Sequence, residues 1–226
     1  MLLKVLLSLP KTIWFNFRVF PFQVALKLPV LIAYNVKVKN THKNCIQINS
    51  DIMRFMIKVN IDKGSDGVNP TLNTNGYFDI RKKGKLVFQG NATFSSGISI
   101  RIDKGTVDVG ANFSCNKNCF IACSESITIG EDVLLGWNVN IRDSDGHSVI
   151  SLDNESNKKI TDIDNKVIIG NHVWIAANVD IIKGVRIPTN CVVGYNSCVT
   201  KKFNEENCII AGYPAKIIKK NIKWQI

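Results

Sequence analysis

Between Ile169 and Val199 the chain places a branched aliphatic residue at every sixth position without a slip: Ile169, Ile175, Ile181, Ile187, Val193 and Val199. Four residues after each of the first five stands a small or branched side chain: Val173, Val179, Val185, Cys191 and Ser197. A period of six matches neither the 3.6 of an amphipathic helix nor the two-residue alternation of a hairpin. It fits short strands joined by regular corners, with one aliphatic per strand pointing inward and a smaller residue in the next inward slot. That is the pattern of a β-solenoid. Corners need unusual backbone angles, and Gly170, Asn171, Asn178, Gly184, Asn190, Gly194 and Asn196 are types that reach positive φ at low cost. Each buried Ile or Val contributes on the order of 1.5–3 kcal/mol, so a column of them can hold such a stack together.

Followed backward, the pattern is clear at Ile129-Gly130-Glu131-Asp132-Val133, Leu135-Gly136-Trp137-Asn138-Val139 and Ile141, and again at Val109 to Phe113. From Val36 to Phe88 apolar residues alternate only loosely among turn residues, which predicts irregular first coils. After Ile141 the repeat stops until Ile169, and the span 142–165 is polar. A loop of that length between regular coils is usually functional. The predicted organisation is a basic amphipathic N-terminal segment over 1–35, a solenoid over 36–200 carrying the loop 142–165, and a C-terminal segment over 201–226.

Charge is concentrated at the ends. Residues 1–50 hold seven cations and no acid, and residues 201–226 hold six lysines against Glu205 and Glu206, leaving the middle neutral within a net charge of +11. No basic stripe or aromatic ladder runs along the body, which argues against nucleic acid. Met1 to Leu9 has the apolarity of a signal core, but Lys4 interrupts it and Pro10 and Lys11 end it with no small-residue cleavage site. No apolar run is long enough to span a membrane. The aromatic and basic stretch from Ile13 to Phe22 suits either a cover for the open end of the solenoid or contact with an anionic membrane face. Seven cysteines lack the spacing of a disulfide framework. Cys115 and Cys119 fall on inward slots as small hydrophobes, so reduced thiols in a cytoplasmic protein, without a metal cluster at Cys115, Cys119 and Cys123, are the simpler reading.

Of the three histidines, His42 lies in a polar turn and His172 at a corner facing solvent, whereas His147 stands in the carboxylate-rich insertion. Asp143 or Asp145 could accept a hydrogen bond from one of its ring nitrogens and leave the other free as a base. The ordinary alternative is a solvated loop histidine.

The hexads, the Asp143-Ser144-Asp145-Gly146-His147 insertion, the run Ile169 to Ile175 and the ending Ala211 to Lys219 together resemble the hexapeptide-repeat acyltransferases. Galactoside, maltose and xenobiotic acetyltransferases belong to that family, with many surface-polysaccharide O-acetyltransferases. The resemblance covers about 109–220 and implies a left-handed parallel β-helix with three hexads per coil and a short C-terminal helix. It also implies a homotrimer with active sites between subunits and acetyl-CoA as acyl donor. By the same resemblance His147 takes the proton of an acceptor hydroxyl, and Ala177, Tyr195, Thr200 and Lys201 line the pantetheine groove. Trp174 flanks the thioester, Lys216 and Lys219 lie near the CoA phosphates, and Asn116 contacts acceptor hydroxyls. Two departures fall near that groove: Phe203 to Glu206 replaces a proline-containing turn, and Ala176 replaces a glycine.

The expected activity is O-acetylation of a sugar hydroxyl in capsule, O-antigen or exopolysaccharide synthesis, in the cytoplasm or at the inner face of the membrane. The alternatives are N-acetylation of a nucleotide-linked amino sugar and a non-catalytic solenoid scaffold. A zinc hydratase on the same solenoid would need three converging histidines, and a cysteine nucleophile would need a neighbouring base.

Overall fold

The computed structural model describes residues 2–61, 75–147 and 164–225. From Val30 onward the described residues are built on strands, most of them short, arranged in three parallel ladders that the chain visits in rotation. The first ladder stacks Val30–Ile32, Ile57–Val59, Ala92–Phe94, Phe113–Cys115, Leu134–Leu135, Trp174–Ile175, Val192–Val193 and Ile209–Gly212. The second begins at Val36–Lys39 and runs through Phe120–Cys123, Asn140–Arg142 and Asp180–Ile181 to Cys198–Val199. The third runs from Ile46–Ile48 through Ser126–Ile129 and Val167–Ile169 to Arg186–Ile187. Two long strands, Gly76–Phe88 and Ser99–Val109, turn a corner and serve the second and third ladders together.

The inward positions read from the hexads are the core. Ile169, Ile175, Ile181, Ile187, Val193 and Val199 are at most 1% exposed, and Val173, Val179, Val185, Cys191 and Ser197 are buried with them. Two backbone demands shape the corners. Residues with positive φ are His172, Asn178, Gly184, Asn190 and Asn196, each three after its aliphatic. Gly170, Asn171 and Gly194, expected to share that role, do not; His172 takes the position next to Asn171. A Cβ on Gly130 would lie 2.6 Å from the Gly170 carbonyl, and one on Gly170 would lie 2.6 Å from the Thr189 nitrogen, so glycine there permits coils to stack closely. Side-chain ladders reinforce the corners: the Asn138 amide donates to Asn178 at 2.9 Å, and Asn178 donates to the Tyr195 hydroxyl at 2.8 Å.

The first coils are more regular than the sequence suggests, and stacking begins at Val30 rather than 36. Register spacing explains why the repeat is hard to read there. Val30 pairs with Ile57, Ile57 with Ala92 and Ala92 with Phe113, and none of these steps equals three hexads, as Trp174 to Val192 does.

Helix α1 (Leu2–Val19) and the short α2 (Phe22–Ala25) close the N-terminal end. The edge strand Val30–Ile32 would otherwise expose a row of backbone groups. Three polar side chains four residues apart on α1 satisfy it. The Asn16 amide donates to the Val30 carbonyl at 2.7 Å and accepts from the Val30 N–H at 3.1 Å. The Thr12 hydroxyl does the same for Ile32, and Ser8 accepts from the Tyr34 N–H. Phe15 and Val19 fill the space beneath, with Phe15 edge-on to Phe78 at 6.1 Å. The cover reading of this segment therefore describes its inner face.

The C-terminal segment departs from expectation. In place of a short helix, Ala215–Lys219 is a strand that turns back antiparallel onto Ile209–Gly212 and extends the first ladder. The unpaired edge of Ile209–Gly212 offers hydrogen bonds that a helix would leave unmet.

Candidate active site

Most of the sequence-predicted donor residues converge on the first ladder. A groove of about 630 Å³ lies along it and around its corner toward the second, with Trp174, Ala177, Tyr195 and Asn116 in its walls. Its floor is the outward column of the ladder, since Leu134, Trp174 and Val192 stand in register. The same column continues through Ile209 to Lys219, and Lys216 lies opposite Ala211 on the same strand pair. With strands about 4.8 Å apart, Lys219 stands roughly 10 Å beyond Val192. The groove itself is largely apolar, and Lys216 and Lys219, exposed, lie beyond its lining on the continuation of the same ladder. Ala176, the departure from the usual glycine, is also part of its wall.

Several groove residues carry no sequence signal. Trp224 returns from the C-terminal tail to stack on His172, centroids 4.1 Å apart, and its indole donates to the His172 carbonyl at 3.0 Å. His172 therefore does not face open solvent as its corner position suggests; its Nδ1 also lies 3.1 Å from the Asn190 amide oxygen. Gln225 and Trp137 complete the wall, and the buried Trp137 Nε1 has no hydrogen-bond partner among the described residues. Only the tertiary path of the tail places Trp224 here, which is why the hexad pattern does not reveal it.

The other site candidates lie elsewhere in the same chain. Thr200 and Lys201 are exposed beyond Cys198–Val199, at the far end of the second ladder, and the Lys201 ammonium sits 5.4 Å above the Phe203 ring. His147 follows Asn140–Arg142, two strands earlier in that ladder but on the same C-terminal side of the strands, and is exposed. The rest of the loop, residues 148–163, lies outside the described residues.

Neither candidate orienting carboxylate is hydrogen-bonded to His147 among the described residues. Asp143 is buried, and its oxygens accept the backbone N–H groups of Ser124, Glu125 and Ser126 at 2.7–2.8 Å. It anchors the corner from which the loop departs. Asp145 is paired with Lys183 at 2.5 Å. Beside them a polar pocket of about 220 Å³ is lined by Arg101, Arg142, Ser144 and Asp145 among others, and shares no residue with the groove. One chain thus holds the groove at the corner that leads into the second-ladder strands and the candidate base beyond their C-terminal side.

The cysteines are poor candidates for chemistry. All seven are free and buried. Burial raises the Cys45 and Cys198 thiols, pushes Cys115 well up, and takes Cys208 up to about 12; the neighbouring Asp143 carboxylate adds to the burial of Cys123. A nucleophilic cysteine must be a thiolate. Native protein at pH 8 should accordingly react with essentially none of an aromatic disulfide reagent, and guanidinium should release all seven thiols. A fast native titre would show that the core admits reagent. Among the described residues no group of three His, Cys, Asp or Glu side chains is placed to hold a metal.

The sequence of a putative lipopolysaccharide biosynthesis O-acetyl transferase of Escherichia coli K12, WbbJ, is 38% identical over 149 residues, which is 62% of this chain and 74% of that protein. The chain belongs to the hexapeptide-repeat acyltransferases. It is also similar along nearly its whole length to an uncharacterised 24.8 kDa protein in the cps region of Klebsiella pneumoniae, 31% identical over 92% of this chain and 87% of the other. Among solved structures, the polysialic-acid-specific acetyltransferase NeuO superposes with a TM-score of 0.59 at 26% identity, covering 85% of this chain and 71% of NeuO. No family model matches the sequence. As a hexapeptide-repeat acyltransferase the protein is an enzyme, an acetyltransferase.

Proposed function

We propose that this acetyltransferase moves the acetyl group of acetyl-CoA to a hydroxyl of a sugar in a surface polysaccharide, with His147 as general base. The observation that carries the reading is the apolar groove on the first ladder, suited to a pantetheine arm, with the ladder continuing beyond it to Lys219 and Lys216, where phosphates would lie. Apolar walls with a few polar groups suit a flexible arm, and ammonium groups suit phosphate as point charges. The O-acetyltransferase relatives named for lipopolysaccharide and polysialic acid support a glycan acceptor.

In this reading the chain forms a left-handed β-helical homotrimer. The support is the separation within one chain of the groove and His147: apposing the corner of one subunit with the C-terminal side of the second-ladder strands of the next would bring them together. Such an arrangement also lets Thr200 and Lys201 reach the groove of a neighbour. His147 removes the acceptor proton as the oxygen attacks the thioester carbonyl, and backbone N–H groups receive the oxyanion. The sulfur departs as a thiolate of pKa roughly 8.5, so no acyl-enzyme is needed. We place the reaction in the cytoplasm, where reduced thiols persist. Among the described residues no helix is long and apolar enough to cross a membrane.

Thiol release from acetyl-CoA with neutral sugars, amino sugars and sialic acid polymers tests the proposal. The Lys216→Glu/Lys219→Glu pair should raise KM for acetyl-CoA about tenfold through lost and reversed phosphate contacts, while leaving S-acetylpantetheine, which lacks the nucleotide, unaffected. An equal rise for both donors would remove the lysines from the phosphate end.

A further inference from the structure

Helix α1 is amphipathic with its polar side inward. Ser8, Thr12 and Asn16 are fully buried against the edge strand, whereas the outward arc carries Leu3, Leu6, Leu7, Ile13, Trp14 and Phe17, 37–70% exposed. A surface helix in water ordinarily presents the opposite arrangement. Phe22 of α2 extends the patch, its ring 5.8 Å from that of Phe17, and Leu26 follows, more than half exposed. Among the described residues nothing packs over this face. A contiguous exposed patch of this kind marks an interaction surface.

Charge selects the occupant. Residues 1–50 hold seven cations and no acid. Arg18 lies 5.5 Å above the Trp14 ring, at the edge of the patch, the Lys43 ammonium donates to the Phe17 carbonyl at 3.2 Å, and Lys27 follows Leu26, exposed. A second copy of this face would bring cations against cations with no carboxylate to pair them.

We propose that the outward face of α1 and α2 docks on an anionic lipid bilayer, with the helix lying in the interfacial plane. Apolar side chains buried at the headgroup boundary and cations facing anionic lipid are the two components of such binding. The polar stripe that a free amphipathic helix would turn to water is here spent on the solenoid, so the helix joins the protein to the bilayer without crossing it. Because the coils stack away from this end, Trp174 stands five strand steps from Val30–Ile32, roughly 24 Å along the ladder. The acetylation site would then sit above the membrane at the reach of a glycan carried on lipid.

The test is co-sedimentation of the full chain with phosphatidylcholine vesicles, with and without about one-third phosphatidylglycerol, at low and high salt. The bound fraction should rise about tenfold or more with the anionic lipid and fall with salt. A Leu3→Ser/Leu7→Ser/Trp14→Ser variant, altered only on the outward face, should lose that binding while keeping its melting temperature and its thiol-release activity on a water-soluble acceptor. Wild-type protein that stays in the supernatant would overturn the proposal, as would equal binding to neutral vesicles or a variant that sediments like wild type. A change in the lipid-free sedimentation velocity mass of the variant would show the face buried between copies, and would overturn it too.

Discussion

His147→Ala is expected to lower turnover by about 10²–10⁴ with little change in the affinity for acetyl-CoA, because general base catalysis accounts for that range and the residue lies outside the groove. The measurement is the thiol-release rate at saturating donor, paired with calorimetric titration of CoA. His147 is exposed and makes no hydrogen bond among the described residues, so its loss should leave the melting temperature unchanged. Retained turnover would remove His147 from the chemical step. Mixing this variant with a groove-blocked subunit such as Ala177→Trp provides a sharper version. If the base of one subunit serves the groove of another, mixed trimers should recover activity that neither variant has alone.

Asp143→Ala, four residues away, should behave in the opposite sense. Its carboxylate is 1% exposed and accepts three backbone N–H groups from Ser124 to Ser126. Removing it takes a charged acceptor from three partly buried N–H groups, a cost of about 4 kcal/mol, which corresponds to a fall in Tm of roughly 8–16 °C for a chain of this size. Differential scanning calorimetry would measure it. Asp143→Asn, which keeps one acceptor oxygen, should recover part of the loss. An alanine variant that melts like wild type while losing turnover would reassign Asp143 to orienting His147.

How much of this was legible beforehand depends on whether a residue answers to its own hexad or to a distant part of the chain. The inward aliphatics from Ile169 to Val199 were legible because every coil repeats the same local demand. Asn178, Asn190 and Asn196 were legible as positive-φ corners for the same reason. Gly170 and Gly194 mislead because left-handed φ and close approach of the next coil, by the Thr189 backbone at Gly170 and the Ala211 methyl at Gly194, select the same residue, and Asn171 yields the left-handed position to His172. Val36 to Phe88 concealed its ladders because Gly76–Phe88 and Ser99–Val109 run through corners, so that no six-residue period is written there; Gly105, at φ +131°, marks one such bend. For Ala215–Lys219 the resemblance implies a helix, whereas the open edge of Ile209–Gly212 favours the strand that pairs with it. Trp174, Ala177, Tyr195 and Asn116 were placed by family likeness and do meet in one groove, whereas Trp224 joins them through a tail whose path no repeat encodes. The buried stripe of Ser8, Thr12 and Asn16 has the spacing of a helix face, yet its purpose appears only once an unpaired strand edge stands opposite.

The outward column from Leu134 through Trp174, Val192 and Ile209 to Lys219 is graduated in equal steps. Each strand adds about 4.8 Å between the tryptophan and the terminal lysine, so the enzyme carries a ruler whose unit is the coil. Duplicating one coil between Val193 and Ile209 would lengthen it by a single division. If Trp174 and Lys219 grip the two ends of the donor, as proposed above, donor choice in such a molecule can evolve by counting turns.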